Sequence, residues 1–315
     1  MTDIRNVAVI GSGLMGHGIA QVFSRGGCQV KMHDVDEAFL SRAMTRIRSN
    51  LRTLAERGLE KESEIEPVLS RITGTTNLQD AVADADFVTE AIPEDLKMKM
   101  ELFDLLESMA PGDSILASNT SMLKISDIGR RIKNRTRILV THWFNPPHLI
   151  PVVEVVKGPD TSQETVERTI RFLAKMKKEP VRVLKEVPGH LVNRIQFALN
   201  RETLSLFEQG VATAEEIDKA VSGSIALRLA ASGPLRTIDI NGIELFYYGM
   251  REMYRFLDNS PAPQDILRQK IEKGEVGRRS GKGFFEYEVT GPVTSLEVER
   301  DKNLMQLLKA FYPKD

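Results

Sequence analysis

Residues 7–16 read Val7-Ala8-Val9-Ile10-Gly11-Ser12-Gly13-Leu14-Met15-Gly16, and a helical pattern follows in Ile19, Ala20, Val22 and Phe23. The apolar run is too short for a helix, so it reads as a buried strand that passes through a glycine turn into a helix. In that context Gly11 permits the tight turn, Gly13 lets the backbone approach a pyrophosphate, and Gly16 brings the helix close to the strand. The N-terminus of the helix, with Leu14 and Met15 just before it, offers unpaired N–H groups to phosphates. Alone the motif is weak. It gains weight because a second strand, Gln29 to His33, ends in Asp34, about twenty residues past the glycines, where a carboxylate can take both ribose hydroxyls of NAD. Asp36 and Glu37 come next and would repel a 2′-phosphate, which favours NAD over NADP. The competing reading is a tight turn in an α/β protein that binds no nucleotide.

Strands and helices continue to alternate beyond this unit. Phe87 to Glu90 reads as a strand, Lys97 to Met109 as a helix, and Ser114 to Ser118 as a strand running into Asn119-Thr120-Ser121. Pro180 to Leu184 reads as the last strand. This order predicts an α/β protein whose N-terminal part is a Rossmann-type doubly wound, mostly parallel sheet, with ligands gathered beyond the carboxyl ends of the strands. Gly11, Asp34, Ser121 and His142 all fall at such ends. The alternation stops at Val187, which places a dinucleotide-binding domain at 1–187 and an all-helical domain at 188–315. In the second domain Leu191, Ile195, Leu199, Leu206 and Phe207 give one helix an apolar side, and Thr213-Ala214-Glu215-Glu216 forms a capping box. Apolar residues on more than one helix face suit burial against the first domain or a second subunit. Leu304 to Phe311 reads as a final amphipathic helix.

The second informative stretch is Arg137 to Val156, RILVTHWFNPPHLIPVVEVV. Ile138-Leu139-Val140 reads as a strand that delivers His142 to its end, and Val152 to Val156 reads as a core strand with Glu154 inside it. A carboxylate in such a run is costly unless paired. An imidazole on a neighbouring strand is the nearest candidate partner, giving a His-Glu dyad in which Glu154 fixes the tautomer and His142 moves a proton. A packing histidine at a strand end and a glutamate on an edge strand would give the same spacing, so both readings stand at this point.

Composition narrows the function classes. Lys and Arg total 43 against 44 Asp and Glu, so a net charge of −1 supplies no global field for nucleic acid or an anionic membrane surface. The single cysteine, Cys28, excludes an internal disulfide and reads as a small buried filler. No apolar run approaches a membrane span, and the opening MTDIRNVAVI reads as entering a core strand directly, which leads us to expect a cytoplasmic protein with no leader. The arginines at 42, 46, 48, 52 and 57 interleave with Leu40, Ala43, Ile47, Leu51 and Leu54 at helical spacing and read mostly as a solvated basic face.

With these residues placed, the chain resembles the 3-hydroxyacyl-CoA dehydrogenase family along essentially its whole length. The stretches that carry the resemblance are VAVIGSGLMGHGIAQ, EAIPEDLKMK, ASNTS, HWFNPPHLIPVVEVV, PGHLVNR and GRRSGKGFFEY. The resemblance implies NAD-linked oxidation of a secondary alcohol beta to an acyl carbon, with a helical second domain that dimerises. It places the catalytic histidine on His142, its partner on Glu154, and the substrate-contacting serine and asparagine on Ser121 and Asn193. It places cofactor contacts on Asp34, Glu94, Lys99 and Asn145, and a late lysine position on Arg279, which keeps the charge but not the geometry. Within the family, Asn145-Pro146-Pro147-His148-Leu149-Ile150-Pro151 and the run Leu227 to Ser232 before Gly233-Pro234 resemble the free-acid branch. That branch includes L-gulonate 3-dehydrogenase, carnitine 3-dehydrogenase and a pyridine-carboxylate dehydrogenase. There Arg228 matches a basic position that would meet the free carboxylate of a small-molecule substrate. Asn50 and Arg57 align with the CoA-contacting serine and lysine of the acyl-CoA members, so a short-chain 3-hydroxyacyl-CoA is the alternative substrate. A non-catalytic NAD-binding protein of the crystallin type is the alternative from another class. The expected assembly is a homodimer through the C-terminal domain.

Overall fold

Along Asn6–Ile10 (β1) successive side chains point to opposite faces, and both sets are apolar: Val7 and Val9 enter one core, Ala8 and Ile10 another. A strand buried on both faces must be covered by helices on both. A computed structural model of the protein, describing residues 4–287 and 295–311, has that arrangement. The further strands are β2 (Gln29–His33), β3 (Ile72–Thr75), β4 (Phe87–Glu90), β5 (Ile115–Ser118), β6 (Ile138–Trp143), β7 (Val152–Val156) and β8 (Glu179–Val183). They form one eight-stranded sheet in the order β3-β2-β1-β4-β5-β6-β7-β8. Every neighbouring pair is parallel except β6 and β7, which run antiparallel.

One face is covered by helices Gly16–Arg25 and Glu37–Glu56, whose Ile19, Phe23, Ala43, Ile47 and Leu51 enter the first core. Each of the isoleucine, leucine and phenylalanine side chains contributes about 1.5–3 kcal/mol on burial. The other face is covered by helix Leu96–Met109 through Phe103 and Leu106. Helix Glu37–Glu56 begins where Asp36 Oδ1 accepts the Ala38 amide at 2.7 Å, so this acidic residue after Asp34 serves as a helix cap. Edge strand β3 has no counterpart in the sequence reading, because Ile-Thr-Gly-Thr is short, half exposed and carries one apolar residue.

The chain divides into two compact units, Met1–Asn193 with Asp301–Asp315, and Arg194–Arg300. The first holds the sheet. In the second lie helices Ala214–Ala220, Leu227–Ala231, Pro234–Asn241, Ile243–Met253 and Asp265–Glu272, none of which has a buried side chain. Thr213 Oγ1 accepts the Glu216 amide and opens the first of them. No described helix is long and apolar enough to cross a membrane.

Candidate active site

The glycine turn has the shape a dinucleotide needs, for reasons that differ at each glycine. Gly11 has φ +96°, and a Cβ there would lie 2.7 Å from the Ala91 carbonyl oxygen. At Gly16 a Cβ would lie 1.7 Å from the Gly11 oxygen, so only glycine lets the helix start against the strand. A Cβ at Gly13 would meet no protein atom within 4 Å. The space above Gly13 is open, and the turn there can lie against a pyrophosphate. Asp34, just after β2, accepts Ser12 N at 2.8 Å and Ser12 Oγ at 2.7 Å on one oxygen, which ties this carboxylate to the glycine turn. These residues fit NAD.

The neighbouring strand ends build the second half of the site. Antiparallel pairing sets His142 on β6 directly opposite Glu154 on β7, so both side chains leave the same face. His142 Nδ1 lies 2.6 Å from Glu154 Oε2, and neither side chain is more than 3% exposed. The other carboxylate oxygen, Oε1, accepts the amides of Leu191 and Val192, each at 2.9 Å. Burial alone would raise this carboxyl, but the hydrogen bonds from His142, Val192 and Leu191 hold it below the ordinary carboxylate range. An ionised Glu154 is acceptor-only, so His142 carries its proton on Nδ1 and presents Nε2 as a lone pair. Phe144 packs edge-on against the imidazole at 4.5 Å, and the His190 ring lies 5.3 Å away.

Ser121 follows β5. Glu94 Oε1 accepts Thr120 Oγ1 at 2.5 Å, Ser121 N at 3.0 Å and Met122 N at 2.8 Å. Asn193 Nδ2 donates to Ser121 O at 3.0 Å, bringing together the serine and asparagine singled out in the sequence. Lys99 is 1% exposed; its Nζ donates to Glu90 Oε1 at 2.5 Å and lies 3.4 Å from Glu94 Oε2. Asn145 stands exposed in the loop after β6, at a cis Asn145-Pro146 bond. Arg228 and Arg279 belong to the second unit; both are exposed, and Arg228 Nε donates to Ser224 O at 3.3 Å.

The sequence reading passed over Glu90, Thr120, the Leu191 and Val192 amides, and His190. His190 is fully buried in a left-handed backbone at φ +52°, and its Nε2 donates to Thr120 O at 3.1 Å. Burial lowers its basicity, more than the Thr120 carbonyl raises it, so it stays neutral beside His142. A histidine directly after Pro188-Gly189, where the alternation of strands stops, was the available signal. Among the described residues no group of three or more His, Cys, Asp or Glu side chains could hold a metal ion.

The 3-hydroxyacyl-CoA dehydrogenase NAD binding domain matches residues 6–187, and the C-terminal domain of the same family matches residues 189–287. The chain belongs to the 3-hydroxyacyl-CoA dehydrogenase family. Like its relatives it is an NAD-dependent oxidoreductase. It is 32% identical over 302 residues to the 5-formyl-3-hydroxy-2-methylpyridine 4-carboxylate 5-dehydrogenase of Mesorhizobium japonicum, with 96% of each chain covered. It is 33% identical to a probable 3-hydroxybutyryl-CoA dehydrogenase of Bacillus subtilis, covering 91% of this chain and 98% of that one. A crystal structure of a 5-formyl-3-hydroxy-2-methylpyridine 4-carboxylic acid 5-dehydrogenase, described as an NAD+ dependent dismutase, superposes with a TM-score of 0.90 at 32% identity. It covers 99% of this chain and 100% of its own.

Proposed function

We propose that this family member oxidises the 3-hydroxyl of a short 3-hydroxy carboxylic acid to the 3-oxo acid, with His142 as general base and Glu154 as its partner. The observation that carries the reading is the buried 2.6 Å contact between His142 Nδ1 and Glu154 Oε2, which leaves Nε2 as the reactive nitrogen. NAD, held by the 11–16 turn and Asp34, supplies the hydride acceptor. His142 Nε2 takes the hydroxyl proton, and the carboxylate of Glu154 stabilises the imidazolium that results. Phe144 and His190 keep water away from the ring, which strengthens that interaction. Ser121 and Asn193 hydrogen-bond the reacting oxygen.

The choice of a free acid rests on the Asn145–Pro151 loop and Arg228 in the sequence, supported by a relative whose name specifies a carboxylate substrate. Arg228 is assigned to that carboxylate on sequence grounds. The second reading, a short-chain 3-hydroxyacyl-CoA, is favoured by the Bacillus subtilis relative and by Arg57 at a CoA-contacting position. NADH formation on a panel of 3-hydroxy acids and their CoA esters decides between them. Turnover of free acids, lost about ten- to a hundredfold in Arg228→Met, supports the first. Activity confined to CoA esters, with a defect in Arg57→Ala, replaces it with the second.

The helical unit carries a further part of the proposal. Leu245 is 67% exposed, Tyr248 58% and Phe256 70%, in a chain whose net charge of −1 does not oppose self-association. A second copy of the chain, joined through this unit, is the partner that fits.

A further inference from the structure

We propose that the C-terminal helix, Ser295–Phe311, decides between substrate classes: docked on the first unit, it covers the ground a CoA handle would need and confines turnover to free acids. The inference rests on the free-acid reading above and on the assignment of Asn50 and Arg57 to the positions that would hold CoA. Helix Glu37–Glu56 ends at Arg57 in a turn where Gly58 takes φ +68°, and Leu59 N donates back to Leu54 O at 2.8 Å. This cap folds Leu59 onto Leu54 and leaves an apolar knob at the end of the helix. Ile47 and Leu51 enter the sheet core, whereas Leu54 is buried with Leu149 of the Asn145–Pro151 loop and with Met305. Leu304 and Leu308 pack around them, from the same side of the C-terminal helix as Met305.

Asn50, Leu54 and Arg57 stand at i, i+4 and i+7, so they line one face of their helix. The residue between the two polar ones is the one that Met305 covers, and Leu54 and Met305 are 2% and 3% exposed. Asn50 is engaged within the unit as well, its Nδ2 donating to Gln21 Oε1 at 3.1 Å. At the other end Leu149 lies in the loop that follows His142, and Lys178 fixes that loop through Pro147 O and Ile150 O at 2.7 and 2.8 Å. The docked helix thus bridges the loop after the dyad and the face that carries Asn50 and Arg57. A free acid needs none of this surface. A CoA ester carries a long anionic handle, and Asn50 and Arg57 can hold it only with the helix displaced; discrimination is then built by obstruction. The family's C-terminal domain matches up to residue 287, so the obstructing helix lies outside the matched part.

Two variants of the full chain test this: Met305→Asp, which sets a charge in the apolar cluster, and Met305→Leu, which keeps the cluster apolar. They are compared with wild type for amide exchange at 301–311, for the dissociation constant of free CoA, and for kcat/KM on 3-hydroxybutyryl-CoA and on the free acid turned over fastest in the panel above. We expect Met305→Asp to lose protection at 301–311 and keep it in the strands of the sheet. It should bind CoA more tightly and gain kcat/KM on the ester, each by about tenfold or more, while staying within about twofold on the free acid. Arg57→Ala in the Met305→Asp background should erase the gain, and Met305→Leu should match wild type throughout. Leu308→Ala loosens the same contact without a buried charge and should move exchange, CoA affinity and ester turnover in the same direction, which answers for any general instability of the aspartate variant. A released helix with no gain in CoA affinity or ester turnover would overturn the proposal, as would unchanged exchange at 301–311 or a wild type that already uses the ester as well as Met305→Asp does. Failure to turn over any free acid removes the substrate reading instead, and the CoA titration still judges the helix by itself.

Discussion

Glu154 has no exposed surface, and a lone carboxylate in that position would be intolerable. Its two oxygens accept three hydrogen bonds, from His142, Leu191 and Val192, and these make the charge affordable as well as useful. His142→Gln should lower turnover about 10²-fold or more with NADH affinity nearly intact, and Glu154→Gln should also lower it, because a neutral amide cannot stabilise an imidazolium. Near-normal turnover in both variants excludes the dyad. Stability carries a second signature. The folded carboxyl of Glu154 titrates below its ordinary value of 4.5, so its contribution is fully present above that pH and is lost as pH falls through the folded value. The stability gap between wild type and Glu154→Gln in denaturant titrations should therefore narrow on acidification, and a gap independent of pH from 3 to 7 would contradict the shift.

Two elements position these residues, and each makes its own prediction. In the glycine turn, Gly16→Ala sets a Cβ against the backbone oxygen of Gly11, whereas Gly13→Ala meets nothing in the protein. Melting curves should show Gly16→Ala destabilised by several degrees and Gly13→Ala close to wild type. NADH titration should show both weakened, Gly13→Ala about tenfold or more, because its methyl occupies space meant for the pyrophosphate. Tight NADH binding by Gly13→Ala would remove that assignment. The loop after β6 is held by Lys178, whose buried Nζ donates to Pro147 O at 2.7 Å and Ile150 O at 2.8 Å. Burial first, and the charge of Arg25 second, push this lysine down to about 7. Between about pH 7 and 10.5 the unfolded chain holds a proton that the folded one does not. Its destabilising contribution is therefore complete below about 7 and is relieved as pH rises. Relative to Lys178→Met, wild type should gain stability over that window; a flat difference would show that Lys178 is protonated throughout.

At the scale of the whole molecule, the apolar side chains exposed on the second unit set the expectation for assembly. Sedimentation velocity should find a dimer at micromolar concentration, and Tyr248→Asp, which sets a charge on helix Ile243–Met253, should shift it toward monomer. A wild-type monomer at those concentrations would remove the second copy from the proposal. The helices from Ala214 to Glu272 bury none of their own side chains, which leaves their apolar residues open to a partner surface.

The parallel part of the sheet was legible because each strand is a short apolar run followed by helical spacing, and such local periodicity is written into consecutive residues. The glycine turn and Asp34 were legible for the same reason: the motif, the strand before it and the helix after it lie within one continuous stretch. Spacing alone left His142 and Glu154 between a dyad and a packing histidine with an edge-strand glutamate, because a 12-residue separation does not say which strands are neighbours. The antiparallel register of β6 and β7 is what puts the two side chains opposite each other on one face. The same holds for Glu94 and His190. Their partners are 26–28 and 70 positions away in the chain, and no local pattern specifies a hydrogen bond to a turn that only the packed sheet brings within reach.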